Sequence, residues 1–142
     1  MPSVPSVSGL TDRVRGWLHR EPKPVVPRTI LIVEGNSANR QSTARLVESL
    51  GYASVQCPGI GAAMKQLEDQ DPEFVLLGFD LDDAAGLDAL TRLREQEPDL
   101  SVIMLTADLW DSRAAEAMRK GAIAYLARPF GADDLRQVLG RR

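Results

Sequence analysis

From Thr29 onward, short apolar runs alternate with stretches whose apolar residues recur every three or four positions. Thr29–Glu34, Ala53–Cys57, Phe74–Phe79, Val102–Leu105 and Ala124–Ala127 have the length and composition of strands. Helices are predicted between and after them. The first spans about Asn39–Leu50, capped by Asn36 or Ser37 and stopped by Gly51. Gly61–Glu68 turns Ala63, Met64 and Leu67 to one face, and Leu87–Glu97 turns Leu87, Leu90 and Leu93 inward. Asp111–Lys120, closed by Gly121, and Ala132–Leu139 complete the set. A strand that is apolar on both faces must be covered on both, and strands separated by helices are joined by crossovers. The pattern therefore predicts an α/β domain over residues 28–142, with five parallel strands and five helices on both faces of the sheet. The sequence stops three residues past Leu139, so the domain is expected to stand alone.

Residues 1–27 obey different rules. They hold five of the nine prolines, and proline fixes φ and removes an amide donor. Between the prolines, Leu10, Val14, Trp17 and Leu18 recur at helical spacing, which predicts a short amphipathic helix over about residues 9–20, weakened by Gly16. Residues 21–27 read as an extended, Pro-rich linker. Arg13, Arg15, Arg20, Lys23 and Arg28 against Asp12 and Glu21 give residues 1–28 a charge of +3. The whole chain carries −3, so the remainder carries −6. The apolar stripe, with Trp17 at its centre, admits three destinations: the chain's own domain, a partner protein, or an anionic membrane reached through the arginines.

Several chemistries are excluded early. A single cysteine, Cys57, permits no internal disulfide and no cysteine-rich zinc site. The one histidine, His19, lies in the leader, so the domain has no histidine triad or histidine metal cluster. The acidic domain argues against a nucleic-acid surface. No apolar run approaches membrane-spanning length, and the start of the sequence lacks a secretory apolar stretch. The expected location is the cytoplasm.

Ligands and chemistry in open α/β sheets collect beyond the carboxyl ends of the strands. Those positions are Glu34-Gly35-Asn36, Gly78-Phe79-Asp80, Thr106-Ala107 and Arg128-Pro129-Phe130. The run Ile30-Leu31-Ile32-Val33-Glu34-Gly35-Asn36 resembles the opening strand of the receiver domains of two-component response regulators. Phe74 through Leu81 with Gly86-Leu87, Val102 through Ala107, and Gly121-Ala122 through Tyr125-Leu126-Ala127-Arg128-Pro129-Phe130 are similar to that family's later segments. The resemblance covers about residues 28–140 and implies a flavodoxin-like (CheY-like) sheet of order 2-1-3-4-5.

By the same resemblance, the phosphoacceptor aspartate is expected at Gly78, and the acidic pair that holds Mg²⁺ at Glu34 and Gly35. An aspartyl-phosphate needs a carboxylate nucleophile and a hard cation with oxygen ligands. Gly78 and Gly35 provide neither, so no Mg²⁺ site or other cofactor is expected. Arg128 stands where the family has lysine, and Thr106 and Tyr125 match its switch pair. Glu34 is expected to pair with Arg128, bidentately, closing the former phosphate pocket. Thr106 and Tyr125 then serve either as a surviving switch or as packing. Asp82 and Asp83 read as surface charges.

These expectations make the chain a pseudo-receiver, non-enzymatic, acting by phosphorylation-independent binding of a signalling protein or kinase. The face of the fourth helix, fifth strand and fifth helix, with Trp110, Arg113 and Tyr125, is the expected contact surface, and a homodimer through it is a variant of the same idea. Trp110 itself admits either a partner contact or local packing. Two alternatives remain open at this point: a receiver phosphorylated at Asp80, and a receiver that binds an anionic second messenger through arginine pairs such as Arg13/Arg15 or Arg141/Arg142.

Overall fold

A computed structural model describes residues 28–140. The expected leader helix, the linker, Trp17 and the Arg141/Arg142 pair lie outside the described residues. The elements follow the sequence pattern closely. Strands β1 (Thr29–Val33), β2 (Ala53–Cys57), β3 (Phe74–Gly78), β4 (Val102–Thr106) and β5 (Ala124–Ala127) alternate with helices α1 (Ser37–Ser49), α2 (Ile60–Asp69), α3 (Gly86–Gln96), α4 (Ser112–Arg119) and α5 (Ala132–Leu139). All strand pairs are parallel, in the order β2-β1-β3-β4-β5.

Strand side chains alternate across the sheet and build two cores. Ile30, Ile32, Phe74, Leu76, Ile103, Leu105 and Leu126 pack with Ala44 and Val47 of α1 and with Leu135, Val138 and Leu139 of α5. Leu31, Val33, Val75, Leu77, Val102 and Met104 pack on the other face with Ile60 and Ala63 of α2, with Ala89, Leu90 and Leu93 of α3, and with Ala117 of α4. Both faces of the three central strands are therefore dry, which is why those strands are continuous apolar runs. Among the described residues no helix is long and apolar enough to cross a membrane.

Helix α1 starts two residues earlier than the periodicity predicts. Asn36 has extended backbone, and its side chain accepts a hydrogen bond from the Asn39 amide at 2.9 Å, an N-cap that ends β1's extension within three residues. Asp83 departs further from expectation. It is exposed, as a surface charge should be, but its carboxylate accepts from the Ile60 amide at 2.8 Å and the Gly61 amide at 3.0 Å. It thus caps α2 from 23 residues away, in place of Gly59, which has no side chain to do so. The two amide hydrogen bonds hold the Asp83 carboxyl below the ordinary aspartate range. A carboxyl with a lowered native pKa contributes stability above its unfolded value and loses it as pH falls through the native one. Asp83→Ala should therefore speed amide exchange at Ile60 and Gly61 at neutral pH. The wild-type protein should show the same loss of protection only well below the ordinary aspartate range, as measured by hydrogen exchange followed by NMR.

Candidate functional site

Three strand ends converge at one crevice. Val33 pairs with Leu77 in the parallel register, so Glu34 and Gly78 come next to each other, with side-chain positions on the α1/α5 face. A β carbon built on Gly78 would collide with Glu34 Oε2. The Glu34 carboxylate thus lies in the room that any side chain at position 78 would need. From the far side, Arg128 at the end of β5 reaches Glu34 Oε1 through Nη2 at 3.2 Å. The side chains are 7% and 20% exposed, so water screens this pair weakly.

The contact is an ion pair of one close approach, not the bidentate fork expected from the sequence. Among the described residues, Arg128 Nη2 is a buried side-chain nitrogen without a directed hydrogen bond. Its guanidinium also lies 5.9 Å from the centroid of the Phe130 ring. Helix α1 adds two contacts to Glu34: Asn39 Nδ2 donates to Oε1 at a marginal 3.5 Å, and Arg40 Nη1 donates to the backbone carbonyl at 2.9 Å. Burial pushes the Glu34 carboxyl above the ordinary glutamate value; Arg128 and the Asn39 hydrogen bond oppose this without cancelling it. The pocket is not sealed, as a bidentate clamp would require. A cavity of about 340 Å³ remains, bounded by Glu34, Asn39, Phe79, Asp80, Arg113 and Arg128.

Position 35 is occupied in a different sense. A β carbon there would sit 2.6 Å from the Asp80 carbonyl oxygen and 3.2 Å from Leu81 Cα, so the β3–α3 loop packs directly over the Gly35 backbone. Asp80 turns outward, with a side chain 90% exposed and one carboxylate oxygen 3.5 Å from Arg113 Nη1. Arg113, expected on the partner face, faces the crevice instead. It forks onto Asp111 through Nε at 3.0 Å and Nη2 at 2.9 Å, and lies 4.5 Å from the centroid of the Phe79 ring. That fork draws the Asp111 carboxyl below its ordinary range.

Thr106 is buried, and its hydroxyl donates to the Asp108 carbonyl at 2.7 Å. Tyr125, one strand over, is 38% exposed, and Trp110, two residues before α4, is 91% exposed. Exposure on that scale excludes local packing as the reason for Trp110. Tyr125 and Trp110 line a separate groove with Leu109, Pro129 and Phe130. The Asp83 cap and the Asp111–Arg113 fork escaped sequence reasoning. An aspartate at the first position of the expected helix over Asp111–Lys120 was the available signal for the second; the first had none.

Two predictions test this geometry. Because desolvation outweighs the Coulomb attraction at Glu34, removing Arg128 should harm the fold more than removing the Glu34 charge. At neutral pH, Arg128→Met should cost about 2 kcal/mol, below the roughly 3–5 of a fully buried pair because Arg128 keeps some water. Glu34→Gln should cost less than about 1 kcal/mol, and the double variant should recover most of the loss. Glu34's native pKa is raised, so the associated stability is present below the unfolded value and lost as pH rises through the native one. The Arg128→Met deficit should accordingly shrink in acid, as measured by urea unfolding across pH. Gly35→Ala presses on backbone and should cost about 1–3 kcal/mol. Gly78→Ala presses only on the mobile end of Glu34 and should cost less in the same assay.

Comparison with known proteins agrees with the architecture. The profile of the response regulator receiver domain family matches residues 30–140. The acid tolerance regulatory protein ActR of Rhizobium meliloti is 29% identical over 115 residues, which are 81% of this chain and 59% of that protein. The photosynthetic apparatus regulatory protein RegA of Rhodobacter capsulatus is 27% identical over 112 residues, 79% of this chain and 61% of that protein. The chain thus spans about three fifths of these curated relatives. Among solved structures, the receiver domain of the sensor histidine kinase PA1611 from Pseudomonas aeruginosa, crystallised with a magnesium ion in its active-site cleft, superposes with a TM-score of 0.74 at 28% identity, covering 82% of this chain and 97% of that one. The receiver domain of NtrX from Brucella abortus gives a TM-score of 0.75 at 28% identity, covering 79% and 95%. A five-stranded sheet of order 2-1-3-4-5, a crevice at its carboxyl edge and a family match over most of the sequence make this chain a member of the response regulator receiver domain family, the receiver module of two-component signalling.

Proposed function

We propose that this receiver signals without being phosphorylated, through contacts between its surface and another protein. The observation that carries the proposal is the Glu34 carboxylate lying over Gly78 and paired with Arg128. Phosphorylation of a receiver places a phosphoryl group on a carboxylate at the end of β3, and the glycine at that point offers no nucleophile. The space beside it already holds a carboxylate whose charge is balanced.

The crevice residues do not fit the Mg²⁺ that receivers use. A hard divalent cation takes several oxygen ligands and is commonly bound through carboxylates. Glu34 is engaged by Arg128, position 35 has no side chain, and a β carbon there would press on the Asp80 carbonyl. Asp80 borders the crevice but its side chain is 90% exposed and paired with Arg113, which argues against its serving as a substitute acceptor. The arginine pairs considered for an anionic messenger, Arg13/Arg15 and Arg141/Arg142, lie outside the described residues; in the crevice itself Arg113 is held by Asp111 and Arg128 by Glu34. The Thr106 hydroxyl already donates to the Asp108 carbonyl at 2.7 Å, which supports the packing role over the switch.

Contact with a partner then falls to the exposed face near α4, β5 and α5. Leu109, Trp110, Met118 and Tyr125 are the exposed large apolar side chains on and around these elements, and tryptophan and tyrosine are enriched among residues that dominate binding energy.

An amide NMR titration with Mg²⁺ and beryllofluoride tests the reading. The expected result is no saturable shift at Gly78, Thr106 or Arg128. Saturable, Mg²⁺-dependent shifts at those residues would overturn it and return Asp80 to consideration.

A further inference from the structure

A groove beside β5 leaves apolar side chains open on the described surface. It is a cavity of about 500 Å³, walled by Leu109 and Trp110 on one side and by Pro129 and Phe130 on the other, with Tyr125 between them. Leu109 and Trp110 are 64% and 91% exposed, on a loop whose turn is held by the Trp110 amide donating to Asp108 Oδ1 at 2.8 Å. The apolar residues are thus presented by a hydrogen-bonded turn and not by an unstructured tip. Acidic residues mark the edges: Asp108 and Asp134 line the groove itself, while Asp133 nearby on α5 is already paired with Arg136 at 2.6 Å. Its one lining cation, Arg128, is already committed to Glu34.

We propose that residues 8–20 of the chain's own N-terminal segment dock in this groove, with Leu10, Val14, Trp17 and Leu18 against Leu109, Trp110 and Tyr125. The chemistry of the two surfaces is complementary. The segment's apolar residues recur at helical spacing, while Arg13, Arg15 and Arg20 fall off that stripe, where they meet the acidic edges. Residues 1–28 carry +3 and the rest of the chain −6, so the long-range attraction has the right sign.

The connection is long enough. Arg28 is fixed at the start of β1, its carbonyl accepting from the Ala53 amide and its guanidinium 3.2 Å from Glu73 Oε1. The groove lies at the opposite end of the sheet and three strands across, since β1, β3, β4 and β5 are consecutive neighbours. Three strand spacings are about 14 Å and a five-residue strand about 17 Å, which puts the groove roughly 22 Å from Arg28. The ten residues from Leu18 to Arg28 include Pro22, Pro24 and Pro27 and reach about 30 Å when extended. Because the straight line crosses the packed sheet, the chain follows the foot of the sheet and then its β5 edge, a path of about 30 Å that takes essentially the whole extended linker.

A second copy of the domain is the weaker occupant. A second copy would bring the same surface, bordered by Asp108 and Asp134, and the same net negative charge as the domain it meets. The tethered segment brings opposite charge at an effective concentration in the millimolar range. Docking of this kind would cover the face that the proposed function leaves for a partner. It does not require that function, because the contact would form in a phosphorylated receiver as well.

The two tryptophans of the chain make the test direct. In the full chain, Trp17→Phe keeps the stripe apolar and leaves Trp110 as sole emitter. Its acrylamide quenching should be about threefold weaker than in the same protein carrying Val14→Asp and Leu18→Asp as well, the contrast expected of a contact largely formed at millimolar effective concentration. The reciprocal variant, Trp110→Phe, reports on Trp17, which should be shielded and should become accessible on adding Leu109→Asp. Equal quenching with intact and broken stripes would overturn the proposal. So would shielding that rises with protein concentration, the mark of a second copy, or shielding that needs anionic phosphatidylserine vesicles. None of these outcomes depends on the beryllofluoride response, so the two proposals can fail separately.

Discussion

The contact between Glu34 and Arg128 across Gly78 constrains everything around it. Parallel pairing of β1 with β3 brings positions 34 and 78 side by side with their side chains on one face, and two bulky groups cannot both lie inward there. With glycine at 78, the glutamate falls across the strand end and out of water. A carboxylate so placed carries a desolvation cost that one guanidinium offsets only in part, which is why its pKa stays raised despite the ion pair. The arrangement holds because the alternative, Arg128 or Glu34 buried alone, is worse.

The loops around the crevice follow from that centre. The β3–α3 loop lies directly on the Gly35 backbone and reaches on to α2, where Asp83 accepts two amide hydrogen bonds. One segment thereby joins the crevice wall to a helix end, and a side chain at position 35 would lift both. The β4–α4 loop is held from within by the Thr106 hydroxyl and the Asp108 carboxylate. In each case a polar group that could have faced an incoming ligand is spent on backbone, that of α2 for Asp83 and that of its own loop for Thr106 and Asp108, and the fixed positions of Leu109 and Trp110 are one result.

Much of this was legible in the sequence, for reasons that differ by feature. Strands and helices were readable because burial on both faces leaves continuous apolar runs, as in Ile30–Val33 and Phe74–Leu77, and no periodicity competes with them. Strand order was not: periodicity cannot rank neighbours, and the order came from resemblance to a family. The Glu34–Arg128 pairing followed from two opposite charges at strand ends that open on one crevice, but its single, undirected contact depends on side-chain paths that no spacing encodes. Asp83 looked like a surface charge because its partners, Ile60 and Gly61, are distant in sequence and contribute only amides, which every residue has. Arg113 was assigned to the outer face from its helix position, whereas Asp111 at the helix cap turns it inward.

The crevice and the groove share one piece of chain. Arg128 borders the cavity beside Glu34, and the same residue with Pro129 and Phe130 forms one wall of the groove beside Trp110. In a two-state switch, a ligand acts by binding one arrangement of such a shared segment better than the other. Here the crevice end is held by an ion pair internal to the domain, so on the proposed reading no phosphoryl group shifts the balance from that side. The groove end remains. Whatever occupies it meets one standing arrangement of Arg128-Pro129-Phe130, and its affinity is not reduced by the cost of populating a minor state. Control over such a surface has to come from competition for it, and a cationic, apolar segment tethered within reach is a competitor whose concentration the cell cannot dilute.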